Sequence, residues 1–429
     1  MGGGLGGRYP DERYPDERPP VSDLDGRFAR LWGELVPIGR RADRGYDRFA
    51  WSEVDAALRS WFRRTAAARG LPVEQDRNGN LWAWWGHDPA DGPPPEGALA
   101  AGSHLDSVPS GGAYDGPLGV VAAFLALDEL RERRGSPGRA VAVVDFTEEE
   151  GARFGVACLG SRLSAGALDP ARARALTDPG GSSLAGAMLA AGADPDALGE
   201  DSARLARLAA FVELHVEQGR FLCDAGRPVG VATGIWPHGR WRLRFEGAAD
   251  HAGTAALGDR KDPMLPFSAA VHAAREAGVA HRGLATVGRA TVHPNATNAI
   301  AASVDAWLDA RAPDEGALES IVGDVDAAST SVAERHGVAL TVTEESRSPA
   351  VVFDPALRRR VAGAVGGAVP EMPTGAGHDA GVLAARLPTA MLFVRNPTGV
   401  SHSPDEHASA DDCVEGVRAL ARVLDELVR

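Results

Sequence analysis

The fold is decided by residues 98–150, ALAAGSHLDSVPSGGAYDGPLGVVAAFLALDELRERRGSPGRAVAVVDFTEEE. A short buried strand is predicted over residues 98–102, and a strongly apolar helix over residues 118–130. A β-branched strand follows over residues 141–146, with three glutamates just beyond its end. Alternation of strand, loop and helix favours a central α/β sheet, in which functional groups lie beyond the carboxyl ends of the strands.

The same alternation recurs further along the chain. Residues 211–214 predict a strand that leads into His215, and residues 390–394 predict a strand followed by the loop that carries His402. Because functional groups of such a sheet gather beyond the strand ends, we expect both histidines close to the loops that follow the first two strands.

The middle of the chain has a different pattern. Residues 231–347 follow the order strand, helix, strand, strand, helix, strand, which is typical of a split βαβ, ferredoxin-like domain. A chain of 429 residues is too long for one ordinary core. We therefore predict a catalytic α/β domain with a central sheet, formed by residues 27–230 and 348–429 and interrupted by this inserted lid. Residues 1–26, with a tandem RYPDE repeat among glycines and prolines, predict a disordered tail.

Composition limits the classes of partner. The chain has 45 basic and 59 acidic residues and a net charge of −14, which disfavours nucleic acid and favours a small substrate. No apolar run reaches the roughly 18 residues of a membrane span, and no signal pattern opens the chain, so we expect no membrane partner. The cysteines, Cys158, Cys223 and Cys413, are odd in number and far apart, which favours a reducing cytoplasm over a disulfide framework.

Residues that can bind metal occupy the loops at the predicted strand ends. They are His104, Asp106, Asp115, Glu148, Glu149, Glu150, His215 and His402. Imidazole and carboxylate hold zinc or manganese in hydrolytic sites, and a bridging carboxylate lets two ions share one water. Each segment alone is also compatible with an exposed pair, a tight turn or a solvated acidic loop. Together they predict metal-assisted hydrolysis by zinc, manganese or cobalt.

Two of these segments predict a division of roles. His104 and Asp106 lie two residues apart at a strand end, so that one can bind a metal while the other fixes the ring tautomer. The triplet at residues 148–150 brings adjacent carboxylates together, which is rare without a cation. If one glutamate binds metal, its neighbour can act as the general base for a water molecule.

Six motifs together resemble a known family. They are GSHLDSVP at 102–109, EEGARF at 149–154, ELHVEQG at 213–219, DHAGT at 250–254, PNATN at 294–298 and SHSP at 401–404. They resemble the amidase/hydantoinase/carbamoylase branch of the dinuclear-metal aminoacylase and carboxypeptidase family. That branch includes allantoate amidohydrolases, N-carbamoyl-L-amino acid hydrolases and β-ureidopropionases. The resemblance covers residues 28–429 and implies a metallopeptidase-like catalytic domain.

The resemblance also implies a role for each matching residue. One ion would be held by His104, Asp115 and His215, and a second by Asp115, Glu150 and His402, so that each subunit binds two divalent ions. Glu149 would be the general base and Asp106 the partner of His104. The lid would form a homodimer and donate His251 to the site of the neighbouring subunit. The substrate would be bound by Gln218, Asn298, Arg311 and His378, with Arg311 and Asn298 on its carboxylate.

These observations predict a cytoplasmic, metal-dependent amidohydrolase that cleaves a linear, non-peptide C–N bond in a small ureido acid. Allantoate and N-carbamoyl-L-amino acids are the favoured substrates. An N-formyl or N-acyl amino acid hydrolase, an aminopeptidase or carboxypeptidase on the same scaffold, and an inactive binding protein remain as alternatives. His215 favours the amidohydrolase, because related peptidases place an aspartate there.

Overall fold

A computed structural model describes residues 23–429. The larger helices and strands alternate over much of the chain. In chain order, the helices are α1 (Asp23–Leu35), α2 (Glu53–Ala67), α3 (Pro117–Arg134), α4 (Leu159–Ser164), α5 (Pro170–Arg174), α6 (Leu184–Ala190), α7 (Ser202–Leu205), α8 (Phe221–Asp224), α9 (Met264–Ala280), α10 (Glu315–Arg335), α11 (Pro355–Val365), α12 (Asp379–Leu383) and α13 (Ala410–Leu427).

The strands separate into a large sheet, a four-stranded sheet and one short pair. They are β1 (Val73–Gln75), β2 (Leu81–Trp85), β3 (Ala98–His104), β4 (Val141–Phe146), β5 (Leu208–Val216), β6 (Val229–Ile235), β7 (His238–Glu246), β8 (Asp250–His251), β9 (Leu284–His293), β10 (Ala299–Ile300), β11 (Ser303–Arg311), β12 (Ala339–Ser348), β13 (Val351–Val352), β14 (Glu371–Thr374) and β15 (Thr389–Val394).

The large sheet has nine strands and mixed direction. Its order is β1-β2-β4-β3-β5-β15-β6-β13, with β14 paired to β6. The central strands β4, β3, β5 and β15 are mutually parallel, whereas β2 and β6 join them antiparallel. The predicted α/β fold with a central mixed sheet is therefore confirmed. Because four neighbouring strands run in the same direction, the loops after them open at one edge.

Helix α3 connects β3 to β4 and begins at that edge of the sheet. Its residues 117–127 are all buried, because the helix packs against β3 and β5 on one side and α13 on the other. It begins after Gly116, whose φ of 85° lies in the left-handed region. A Cβ on Gly116 would lie 2.4 Å from the ring of His104. Glycine at this position therefore lets the start of α3 pass directly beside the end of β3.

Residues 238–348 contain the second sheet. It is antiparallel in the order β12-β7-β11-β9 and packs against α9 and α10. Burial alternates along β7 and β11, and the buried face forms a separate core that includes Leu243, Phe245, Val304, Leu308, Leu318 and Ile321. A strand period of two explains why one face is apolar. The predicted boundaries at 231 and 347, and the lid role, stay predictions.

The beginning of the described chain differs from the expectation in one respect. Helix α1 begins at Asp23, so residues 23–26, predicted from sequence to belong to a disordered tail, form part of a helix. Leu24 is buried and joins the same core cluster as Phe28 and Leu31, so the apolar spacing of the helix reaches one turn further back than expected. Residues 1–22 lie outside the described residues. Among the helices of residues 23–429, none is long and apolar enough to cross a membrane.

Candidate metal centre

The parallel strands deliver the predicted metal-binding residues to one place. His104 is the last residue of β3, and His215 lies one residue before the end of β5. Glu150 follows β4 in a short loop, and His402 lies in the loop after β15. Asp115 directly precedes Gly116 at the start of α3. Residues separated by as many as 298 positions therefore meet at the carboxyl edge of the sheet.

Asp115 lies between two groups of potential ligands. Its Oδ1 is 3.1 Å from Nε2 of His215 and 3.5 Å from Nε2 of His104. Its Oδ2 is 3.6 Å from Nε2 of His402, which is 3.3 Å from Oε2 of Glu150. Within each group the ligand atoms all lie within 4.8 Å of one another. The two oxygens of one carboxylate thus face two different sets of donors.

The donor atoms fit a metal ion. Nε2 of His104, Nε2 of His215 and Oε1 of Glu150 are buried, and none has a hydrogen-bond partner among residues 23–429. The other ring nitrogens are engaged, because Nδ1 of His104 lies 3.1 Å from the Asp106 carbonyl and Nδ1 of His215 lies 2.8 Å from the Val216 carbonyl. Each ring therefore presents Nε2 inward. Buried polar atoms without partners are costly, so a cation is the natural partner of this set.

Electrostatics lead to the same interpretation. Burial opposes the charged form of His104, but the nearby carboxylates of Asp106, Asp115 and Glu149 outweigh it and raise its pKa well above the usual value. Burial, together with neighbouring carboxylates, raises the pKa of Glu149 well above normal. The hydrogen bond with Glu150 raises the pKa of His402 to about 9. Burial opposes the charge of Asp115 as well, but His215 and His104 outweigh it and hold its pKa well below the usual range, so this carboxylate stays ionised between the two groups.

Asp106 contacts both His104 and the acidic loop at residues 148–150. Its Oδ1 accepts a hydrogen bond from the backbone N–H of Glu149, and its Oδ2 accepts one from the N–H of Glu150, both at 3.0 Å. Glu148 has a φ of 55° and turns its side chain the other way, where Oε1 accepts from the N–H groups of Arg153 and Phe154. The sequence alone gives Glu148 no role of its own, yet it closes the loop that presents Glu149 and Glu150.

Glu149 has two distinguishable oxygens. Its Oε1 accepts a hydrogen bond from the thiol of Cys158 at 3.1 Å. Its Oε2 faces the metal-ligand group, 3.7 Å from Nε2 of His104. In the sequence analysis, Cys158 serves only to predict a reducing compartment. No sequence pattern connects it to Glu149, because the contact depends on the tight turn between them.

Gln218 and His378 border the same cluster. Nε2 of Gln218 donates to Oδ2 of Asp115 at 2.8 Å. The ring of His378 is buried and packs edge-on against His215, 4.5 Å between centroids. Glu213, His215 and His378 form a third group with ligand-like spacing. Both oxygens of Glu213 already accept hydrogen bonds, from Ser103 and from the N–H of Ala380, so this third group fits an ion less well.

The remaining predicted site residues, namely His251 for catalysis and Asn298 and Arg311 for substrate binding, lie in the second unit, residues 238–348. His251 and Asn298 are both exposed, and they are adjacent because β8 and β10 pair Ala299 with His251. Among the described residues, neither side chain hydrogen-bonds to a predicted metal ligand. Nη1 of Arg311 donates to the Gly375 carbonyl at 2.8 Å, and its Nε pairs with Asp309 at 2.9 Å. The structure thus brings the predicted metal ligands together, whereas His251 and Asn298 make no hydrogen bond with them among the described residues.

Known proteins resemble this chain along nearly its whole length. The model of peptidase family M20/M25/M40 matches residues 100–426. The N-carbamoyl-L-amino acid amidohydrolase of Geobacillus stearothermophilus is 33% identical over 93% of this chain and 98% of its own length. The allantoate amidohydrolase of Bacillus subtilis is 34% identical over 92% and 95%.

A solved structure has the same fold. The crystal structure of an amidase of the hydantoinase/carbamoylase family from Burkholderia multivorans matches with a TM-score of 0.84 and 29% identity, over 94% of this chain and 98% of that one. The predicted resemblance to the hydantoinase/carbamoylase branch is thereby confirmed. This chain belongs to the peptidase family M20/M25/M40.

Proposed function

We propose that the protein is a metal-dependent amidohydrolase that hydrolyses a linear, non-peptide C–N bond in a small ureido acid, either allantoate or an N-carbamoyl-L-amino acid. The observation that carries the proposal is Asp115, whose two oxygens face two groups of donors while Glu149 lies buried beside them. The names of the amidohydrolase relatives support the same class of substrate.

Two divalent ions per subunit complete this proposal. His104, Asp115 and His215 would hold one ion, and Asp115, Glu150 and His402 the other. The mixture of imidazole and carboxylate suits zinc, manganese or cobalt. When bound, such ions supply Lewis acidity, which activates water and polarises a carbonyl group.

Glu149 moves the proton in this proposal. Its Oε2 faces the ligand groups, whereas Oε1 is occupied by the thiol of Cys158. A carboxylate held in this way can take a proton from the attacking water and return it to the leaving nitrogen. Its burial excludes bulk water, which would otherwise compete for that proton.

Recognition of the substrate is assigned to both units. Arg311 and Asn298 would bind the carboxylate, because a guanidinium pairs both oxygens at once. Gln218 and His378 would line the pocket beside the metals. Nδ1 of His251 accepts from the N–H of Gly253 at 2.9 Å. A neutral ring then carries its hydrogen on Nε2, where it can donate to the developing oxyanion.

A homodimer through the second unit supplies His251 in this proposal. Strand β9 lies at the edge of its sheet and, within the described residues, pairs only with β11. Next to this edge are exposed apolar side chains, namely Met264, Leu265, Val271, Val279 and Leu284. An unpaired edge beside apolar surface is typical of a subunit interface. We also propose a cytoplasmic location, which the three free cysteines support.

A substrate panel tests the activity. The protein is stripped of metal, reloaded with Zn²⁺, Mn²⁺ or Co²⁺, and incubated with allantoate, N-carbamoyl-L-amino acids, N-formyl and N-acetyl amino acids, and dipeptides. Release of ammonia and free amine is measured, with Glu149→Gln as the matched inactive control. We expect turnover of one or more ureido acids. Faster hydrolysis of dipeptides, or no turnover of any ureido acid, would overturn the proposal.

A further inference from the structure

One buried carboxylate joins two loops that carry metal-ligand candidates, and none of the roles above includes it. Glu406 follows His402 by four residues and is 5% exposed. It reaches across to the glycine-rich turn before α3, which contains Asp115. The two loops are almost 300 residues apart in sequence, and both belong to the catalytic sheet edge.

Glu406 holds the backbone of the bridging residue. Its Oε1 accepts hydrogen bonds from the N–H groups of Tyr114, at 2.8 Å, and Asp115, at 2.9 Å. Its Oε2 lies 3.5 Å from the hydroxyl of Ser401, which donates to Oδ2 of Asp115 at 3.1 Å. Glu406 therefore fixes Asp115 through its backbone, whereas the Ser401 hydroxyl, whose single hydrogen is donated to Asp115, holds the side chain.

The turn is shaped to admit this carboxylate. A Cβ on Gly112 would lie 2.3 Å from the carboxyl carbon and Oε1 of Glu406. Such a distance is shorter than any real contact between these atoms, so a side chain at residue 112 would displace the carboxylate. Gly112 and Glu406 are thus complementary in space.

The orientation of Asp115 matters because its oxygens face different donors. Oδ1 faces His104 and His215, whereas Oδ2 faces His402. Gly116, the cap of α3, offers no side chain to hold the preceding backbone. Without Glu406, the N–H groups of Tyr114 and Asp115 would lose their acceptor, and the loop of His402 would keep the hydrogen bond from Ser401 to Asp115 but lose the link to the Asp115 backbone.

We propose that Glu406 is a positioning residue, which aligns Asp115 and His402 so that the two ligand groups bind metal together. The proposal rests on the dinuclear centre proposed above. Residues that orient metal ligands change metal affinity by about 10–100-fold when they are removed. Glu406 itself touches neither substrate nor metal in this scheme.

Metal affinity tests the proposal without any substrate. Apo protein is titrated with Zn²⁺ against a fluorescent chelator, and thermal stability is measured on the same samples. We expect Glu406→Ala to weaken Zn²⁺ binding by about 10–100-fold. Glu406→Gln keeps an acceptor oxygen and should lose less. The control is Asp412→Ala, which removes a buried carboxylate of the same segment that pairs with Arg395 and should leave affinity unchanged. Affinity of Glu406→Ala equal to that of the parent protein would overturn the proposal.

A double-mutant cycle with Gly112 separates positioning from general destabilisation. Gly112→Ala should weaken Zn²⁺ binding on its own, because it displaces the carboxylate of Glu406. If Glu406→Ala does not fold, the Zn²⁺ affinity of Gly112→Ala tests the proposal in its place. In a Glu406→Gly background the same change should cost little more, since both the carboxylate and the Cβ of Glu406, which would lie 2.6 Å from the new side chain, are removed. Additive losses would contradict a shared role. Because no step uses turnover, the result stands whether or not a ureido acid is hydrolysed.

Discussion

The cluster of predicted metal ligands and the second unit differ in how their functional side chains are held. In the cluster, His104, Asp115 and His215 are buried at strand or helix ends, and neighbouring groups fix their orientation. In the second unit, His251 and Asn298 are exposed on a two-stranded pair. Burial and hydrogen bonding preorganise the first set in a single chain. For the second set, the proposed roles require a substrate or another subunit.

This difference suggests a division of labour that mutants can test. Changes in the cluster should affect metal binding or the chemical step. Changes in the second unit should affect recognition, oxyanion stabilisation or dependence on a partner. The expected effects span several orders of magnitude, because proton transfer and oxyanion donors contribute more to rate than one peripheral ion pair does.

The largest effect is expected for Glu149→Gln. The amide keeps the shape of the side chain but cannot accept the proton, so kcat should fall by about 10²–10⁴-fold. Zn²⁺ affinity should be unchanged, because Glu149 is not assigned as a ligand. Steady-state kinetics and metal titration of the same sample check both statements. A variant that keeps normal kcat would exclude Glu149 as the base.

His251→Ala comes next, with an expected loss of about 10²–10³-fold in kcat and little change in KM. Mixing His251→Ala with Glu149→Gln subunits tests whether His251 acts across a dimer. About half of the dimers would contain one subunit of each variant. In such a dimer one of the two sites has both Glu149 and His251, so about a quarter of the parent activity should return. If His251 served its own subunit, mixing would restore nothing.

A smaller effect is expected for Arg311→Lys. Lysine keeps the charge but loses the planar fork, so kcat/KM for a carboxylate-bearing ureido acid should fall by about tenfold, mainly through KM. An alkylurea without a carboxylate serves as the control substrate, and its slow turnover should not respond. Equal losses for both compounds would argue that Arg311 acts through its bonds to Gly375 and Asp309 instead.

The last prediction concerns stability beneath the cluster. Burial raises the pKa of Asp145, in β4, from 3.8 to about 8. Between pH 3.8 and about pH 8, Asp145 keeps its proton in the native protein but has released it in the unfolded chain. The free energy of unfolding should therefore fall as pH rises through this window, by at most about 1.4 kcal/mol per pH unit from this group.

Urea unfolding of apo protein across that window measures the slope. Asp145→Asn mimics the protonated form at every pH, so the variant should show a shallower loss of stability. If the free energy of unfolding fell equally steeply with pH in both proteins, the raised pKa of Asp145 would be contradicted. Catalytic variants of the second unit provide a control, because their pH dependence should match that of the parent protein.

Much of the fold and of the metal cluster could be predicted from sequence. The strand-loop-helix pattern around β3, α3 and β4 is strong because burial on both faces of a parallel sheet demands continuous apolar runs. His104 then lies at the end of β3, and Glu149 and Glu150 lie just beyond β4, where such sheets place functional groups. The start of α1 is less evident from sequence, because Leu24 precedes the more obvious apolar repeat.

The supporting contacts could not be predicted in the same way. Asp106 binds backbone N–H groups of the acidic loop, and Glu406 binds those of Tyr114 and Asp115. A backbone donor leaves no trace in the amino-acid type, so no motif signals such a contact. The thiol of Cys158 reaches Glu149 only because the chain turns back between them.

The sequence by itself determined the residue types of the ligands, their order along the chain and the alternation that brings them to one sheet edge. These follow from local propensity and from the apolar pattern, which depend on near neighbours. Only the tertiary structure decided that Asp115 divides its oxygens between two groups, that Glu406 ties its backbone to the loop of His402, and that Arg311 binds Gly375. These depend on distances between loops far apart in the chain, which are set when the sheet and its helices pack.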